Sequence, residues 1–370
     1  MPYGTVNADV IQTSTSGGIL GAGNASIMKN RIINGAMVID QRNAGAAVTA
    51  LSSGVYPVDR FQVYCTTTGL SGNAQQVSTA PVGFVNSLKF TTTTGATSGS
   101  TERAQIQQVI EGYNTADLQW GTANAKTVTL SFWVQSSKTG QFGGSVQNYA
   151  SDRSYPFSYT ISAANTWEQK SVTIAGDTTG TWETTNSGGI CLNFDLGMGS
   201  TLQGTAGTWA ATNYRGATGD TSIVATTGST FLVTGVQLEV GSSATGFEYV
   251  NYQTSLANCQ RYYQQINGNT SVGTAAYGMM GSGMVYTTTQ ADISIPLKVS
   301  MRATPTLAQS TTVIQVGGTL YATTSITDAG STPNVVFARV GNAGSMTVGY
   351  GANLSSNNST SGYFSMSAEL

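Results

Sequence analysis

The stretch Thr230–Val240, TFLVTGVQLEV, alternates: Leu232, Val236, Leu238 and Val240 fall on one side, and Gln237 and Glu239 on the other. A two-residue period of this kind requires an extended strand with one buried face, and therefore a sheet. Gly241 and two serines stop it. Tyr252, Leu256, Cys259 and Tyr263 then recur at helical spacing, which predicts a helix from about Tyr252 to Gln265. A helix this short does not hold in water alone, so its seam must pack, either on the base of the preceding β region or on the same helix of two sister chains. A long β region thus closes near Gly241, and the helix leads into a second one.

Upstream, short alternating runs recur between Gly- and Thr-rich turns: 32–39, 61–65, 88–90, 106–110, 128–134, 172–174 and 190–196. With 231–240 they make about eight strands, uninterrupted by any long amphipathic helix. Such a pattern predicts a mainly β fold, an antiparallel jelly-roll β-sandwich, followed by a short helix and a smaller C-terminal β domain. The boundaries read as an N-terminal arm over 1–29, the sandwich over 30–250, helix and hinge over 251–273, and a C-terminal β domain over 274–370. In the last of these, Ile293, Ile295, Leu297, Val299 and Met301 alternate over one long run, with Pro296 marking an edge or a bulge. Further strands are expected at 313–316, 335–340 and 363–370. Met279, Met280, Met284, Met301, Met346 and Met366 suit its core.

Only 9% of the residues are charged and the net charge is −2. From Ile266 onward there are six charged residues: Asp292, Lys298, Arg302, Asp328, Arg339 and Glu369. A small free domain so poor in charge is poorly soluble, so burial against sister chains is expected. No basic patch exists to neutralise phosphates, which argues against a nucleic-acid partner. No basic-then-apolar leader and no run of roughly eighteen apolar residues occurs, which argues against membrane insertion. There is no histidine, which removes the usual general base and the commonest transition-metal ligand. Cys65, Cys191 and Cys259 each sit in an apolar pattern and read as buried free thiols.

Trp133 lies on the face opposite Phe132 and Val134, so it is either covered by a loop or neighbouring chain, or offered to a ligand. The loop 203–220 gathers Trp209, Asn213, Tyr214 and Arg215. The loop 141–157 gathers Gln147, Asn148, Tyr149, Asp152, Arg153 and Tyr155. Aromatic faces among amides suit sugar rings, and they also suit loop cores or subunit contacts. Asp40, Asp59 and Glu239 are oxygen ligands near the first and last strands, suited to a structural calcium or to pairing with Arg31, Arg42 or Arg60. Asp152, Asp177, Glu183, Asp195 and Asp220 are the acids available for glycoside hydrolysis, but no spacing pairs any two, and a non-enzymatic role is expected.

VTGVQLEVG, FEYVNY and NCQRYY resemble the end of the carbohydrate-binding-module-like sandwich found in bacteriophage tail-fibre and related virion proteins. NRIINGAMVIDQRNAG at 30–45 and the run from Ser154 to Trp182 resemble the same family, and VSMRATPTL resembles the segment that family carries after its QRYY helix. The resemblance covers roughly residues 30–265. It implies a virion protein assembled in a bacterial host, attached to other virion proteins through the N-terminal arm. It implies a homotrimer that adheres to host-surface polysaccharide, with Tyr252, Leu256, Cys259 and Tyr263 as the oligomer helix. The rival expectation is a head- or tail-decorating role without receptor binding.

Overall fold

The computed structural model describes residues 10–12, 19–21, 28–267 and 277–370. The expected contacts of the N-terminal arm lie almost wholly outside the described residues, as does the hinge over 268–273. Strands β1 (Val10–Gln12) and β2 (Ile19–Gly21) pair antiparallel.

Two antiparallel sheets form a jelly-roll sandwich. The chain enters through β3 (Val55–Val58), β4 (Phe61–Cys65), β5 (Ser71–Val77), β6 (Ser87–Thr94) and β7 (Arg103–Glu111). It continues through β8 (Val128–Ser136), β9 (Gly140–Asn148), β10 (Ser154–Ile161), β11 (Glu168–Ile174) and β12 (Gly188–Met198). A short parallel pair, β13 (Gln203–Gly204) and β14 (Gly216–Ala217), precedes β15 (Thr230–Val240). One sheet has the order β10-β9-β12-β7-β4-β3 and the other β11-β8-β15-β6-β5. Val128, Leu130, Phe132 and Val134 point inward against Ile190, Leu192 and Phe194, as their alternation requires. Phe132 meets Phe194 edge to face at 5.0 Å.

Two expectations need correction. Residues 32–39 are not a strand but a chain of turns. Asn34 sits at φ 60° and its side chain bonds both the amide and the carbonyl of Ile39, offering the backbone an alternative to a ladder. In β15 the core face is Phe231, Val233, Val236 and Leu238, while Leu232 points away from it and Val240 is exposed. The register slips between Thr234 and Gln237, around Gly235 at φ 61°. A bulge there inverts the parity of the strand, so alternation read across it assigns the first half to the wrong face.

Helix α1 runs from Tyr252 to Gln260, with Asn251 accepting from the Thr254 amide at its start. It does not reach Gln265. Tyr263–Asn267 is strand β16, because its backbone pairs with the chain's last strand and tertiary pairing overrides a short helical period. Then come β17 (Met279–Thr287), β18 (Gln290–Pro296), β19 (Thr306–Ser310), β20 (Thr312–Val316), β21 (Thr319–Asp328), β22 (Val335–Asn342), β23 (Gly351–Ser356) and β24 (Tyr363–Ser367). Six close into a barrel, β17-β18-β22-β21-β20-β23, and β16-β24-β19 form a small separate sheet. The expected run through Met301 stops at Pro296, which cannot donate to the ladder and ends β18. Met280, Met301, Met346 and Met366 are in the core, while Met279 and Met284 are exposed.

A buried ionic cluster ties the last domain to the sandwich. Glu369 bridges Arg60 and Arg42, and Arg42 also reaches Asp59 at 3.2 Å. Arg60 lies over the Tyr262 ring and Arg42 over that of Tyr263, each at 3.5 Å. Glu111 accepts from Arg261 and from the Tyr262 hydroxyl.

Candidate functional site

The outer face of the six-stranded sheet is rich in amides, yet it is sealed. Ser145, Gln147 and Asn193 are fully buried beneath the segment 199–220. Gln147 donates to Asn213 at 2.8 Å and accepts from Asn193 at 2.9 Å. Gly204 leaves room for the Tyr214 ring, and Gly216 for the Asp195 carboxylate. Asn148 is structural: its side chain binds Asp152, the Thr181 carbonyl and the amides of Asp152 and Arg153. Arg215 is buried, reaching Ser151 at 3.4 Å, and burial, then the charge of Arg103, lowers its pKa to about 10. The expected ligand set from loops 141–157 and 203–220 is therefore mostly the fabric of a covered surface. Tyr149 is exposed but packs over Gly188. Trp133 lies on the other sheet, half-buried, and with Phe84 closes around Gly235, whose added Cβ would meet the two rings at 3.0 and 2.7 Å.

Trp209 and Tyr155 of that group join an aromatic cluster that backs an open cleft. Trp209 meets Trp120 at 5.5 Å, Trp182 at 5.6 Å and Tyr155 at 5.2 Å; Trp120 and Trp182 meet edge to face at 4.7 Å. Two loops at one end of the sandwich hold Trp120 and Trp182, 112–125 after β7 and 175–187 before β12. They are zipped by backbone bonds from Gly112 to Ser187, Tyr113 to Thr185 and Gly121 to Asp177. Asp177 is pinned by a bidentate bond from Arg153 at 2.7 Å and by Thr179. Burial pushes its carboxyl up, but these bonds outweigh burial and hold it below its ordinary value. Each indole N–H is already used, by the carbonyls of Lys126, Thr179 and Ala175, so the rings are fixed by the backbone.

A cleft of about 320 Å³ opens on the half-buried Trp182, with Trp120 buried at its base, 7% exposed, and Gln119, Thr122, Asn124 and Glu183 exposed on its rim. Apolar ring surface below and amide, hydroxyl and carboxylate groups above form a surface that suits a sugar ring: C–H faces stack, hydroxyls bond to the rim. Composition alone missed this site because Trp120 and Trp182 stand 62 positions apart in unremarkable loops; the local cue is only Gln119 beside Trp120 and Glu183 beside Trp182. A second groove, of about 410 Å³, is lined by Phe84, Phe247 and Tyr249 together with Arg31, Glu248 and Arg261.

The three proposed calcium ligands do not converge. Asp40 accepts from Asn43 and the Gly45 amide, Asp59 from Gln41 and Arg42, and Glu239 from Gln237 and Thr245. The arginine alternative holds for Asp59. No group of three or more potential metal-ligating acids or cysteines occurs among the described residues. Among the acids weighed for catalysis, Asp195 and Asp220 come together under the covering segment: a Cβ on Gly216 would lie 2.1 Å from Asp195 Oδ2, and the amide of the next residue, Ala217, donates to Asp220 Oδ2 at 2.9 Å. Asp195 is 2% exposed and neither residue lines the two clefts above, whereas glycoside hydrolysis uses separated carboxylates flanking a bound sugar. Cys65, Cys191 and Cys259 are buried free thiols. No helix among the described residues is long and apolar enough to cross a membrane.

No family model matches the chain, and no curated protein matches it either. Similar solved structures include the enzymatically active domain of bacteriophage CBA120 tailspike protein 4, at 11% identity and a TM-score of 0.32, covering 58% of this chain and 22% of that one. A family 11 carbohydrate-binding module from Clostridium thermocellum, in complex with a mixed-linked tetrasaccharide, is 12% identical with a TM-score of 0.26, covering 55% of this chain and 100% of that one. A family 61 module in complex with β-1,4-galactotriose is 10% identical with a TM-score of 0.28, covering 57% of this chain and 99% of that one.

Proposed function

We propose that the sandwich binds glycan, without catalysis, in the cleft formed by Trp120 and Trp182, and that the chain serves a phage virion as a host-adhesion protein. The observation that carries the binding is the cleft itself: indole surface fixed by backbone bonds beneath a rim of Gln119, Asn124 and Glu183. The virion role rests on the likeness of NRIINGAM, VTGVQLEVG and NCQRYY to fibre proteins. Association of copies, taken as a trimer from the same likeness, fits the exposed apolar side chains near the start of α1: Tyr249 and Val250 lead into it, Tyr252 opens it, and Val85 lines one groove with Tyr249 and Val250. Leu256 is half-buried, while Cys259 and Tyr263 are buried within the chain itself, so only the start of the expected oligomer helix faces outward. Many copies would multiply weak single sites into firm attachment.

The deciding experiment is a glycan array followed by titration of the best ligand. Trp182→Ala should weaken binding at least about tenfold, a loss of roughly 1.4 kcal/mol, while leaving the far-ultraviolet spectrum unchanged. Binding unaffected by this change would place the glycan site elsewhere than this cleft, whereas no binding to envelope polysaccharide with firm binding to capsid or tail would move the chain to a decorating role. Release of reducing ends from polysaccharide would make it an enzyme.

A further inference from the structure

The Asp195–Asp220 pair lacks any group to neutralise it. Asp195 stands on the outer face of β12 just before the register shift at Gly197, and Asp220 reaches it from the covering segment. Asp220 is held by the Ala217 amide at 2.9 Å and by Gln141 at 3.2 Å. No hydrogen bond of good geometry reaches either Asp195 oxygen, although the amides of Gly197 and Met198 approach. The arginines of this region give no relief: Arg103 and Arg215 act on each other, and among the described residues neither forms an ion pair with these carboxyls. Tyr159, from β10, lies close enough to feel both carboxylates, and its own buried hydroxyl is unbonded.

A second observation is independent of the acids. Gln105 faces Asp195 directly across the β7–β12 ladder, is 1% exposed, and its Oε1 has no donor. Asn193, two residues before Asp195 on the same face, is fully buried and its Oδ1 has none either. A buried acceptor left unmade costs about 1–3 kcal/mol, so a strip of them calls for something positive. Every candidate ligand atom here is a hard oxygen, with no nitrogen or sulfur, and the set is irregular. That suits calcium, which tolerates varied oxygen geometry, better than zinc or magnesium.

We propose that Asp195 and Asp220, helped by the amide oxygens of Gln105 and Asn193, bind a calcium-class divalent cation that clamps the segment 199–220 onto the six-stranded sheet. The site is separate from the tryptophan cleft and does not depend on glycan binding.

The test uses the full chain, stripped with chelator, dialysed and titrated with calcium chloride at pH 7.5 by calorimetry, with melting followed in parallel. One calcium ion per chain and a raised Tm are expected. Asp220→Asn, nearly isosteric, should lose at least tenfold in affinity and abolish the Tm response. Should that variant not fold, the wild-type titration at pH 5.0 serves instead: protons compete for the carboxyls, and affinity should fall at least tenfold. Absence of heat and of a Tm response to calcium at pH 7.5 overturns the proposal, leaving a shared proton as the bridge. So does full binding by Asp220→Asn, or affinity unchanged at pH 5.0.

Discussion

Glu111 sits where three parts of the molecule meet: the end of β7, the turn after α1 and the start of β16. Burial raises its carboxyl, but the bonds from Arg261 and Tyr262 outweigh it and hold the group below its ordinary value. Its contribution to stability is therefore present above about pH 4.3, the ordinary glutamate value, and is lost as pH falls through the lower folded value. Glu111→Gln should lower stability by about 3 kcal/mol at pH 7, measured by urea unfolding, with a smaller loss in acid. Asp59 runs the other way. Burial raises it to about 6, against the opposing pull of Arg42 and Gln41. The folded state then holds this proton more firmly than the unfolded chain between about pH 4 and 6, so this group's contribution weakens stability as pH rises through that window. Asp59→Asn should flatten that portion of the Tm-against-pH curve, and an unchanged slope would contradict the assignment.

At the level of the element, the glycines decide where strands may touch. A Cβ on Gly144 would lie 1.9 Å from the Asn193 carbonyl oxygen of the neighbouring strand, with the Phe157 ring at 2.7 Å on the other side. Gly144→Ala should therefore disturb the β9–β12 pairing and cost about 3 kcal/mol, read by thermal melting. Much of the sandwich is legible in the amino-acid order, because strands such as β8 and β12 keep one parity from end to end, Val128 to Val134 and Ile190 to Leu196. Legibility fails where a single residue changes the rule. Gly235 inverts the face of β15, Asn34 turns an apolar run into a chain of bends, and Pro296 cuts one long alternation in two. The strand after α1 is hidden for a different reason: its partner lies about a hundred residues away, and a local period carries no record of distant pairing. The tryptophan cleft is hidden likewise, since Trp120 and Trp182 become neighbours only after both loops are zipped. Conversely, the polar loop residues that drew attention are polar because they bond to one another under a cover, as Gln147 does with Asn213.

For the whole molecule, a group of buried and part-buried charges, Arg42, Asp59, Arg60 and Glu369, sits where the domains join. Arg60 is buried, and Glu369 is the anion that compensates it. Glu369→Ala would leave that guanidinium stranded, at a cost of about 3–5 kcal/mol. Calorimetry of this variant should resolve the single melting transition into two, sandwich and C-terminal domain; one cooperative transition at the original temperature would refute the coupling.

The small sheet β16-β24-β19 has its latest strand in the middle. On the ribosome, β16 and β19 are made long before the strand that separates them, and each waits with an open edge. Chains emerging side by side from one message would hold such edges in common, and a late strand from one could fill the gap in another. Assembly during synthesis would then be a matter of timing, and diluting the nascent chains, for instance by slowing initiation, would favour the self-contained form.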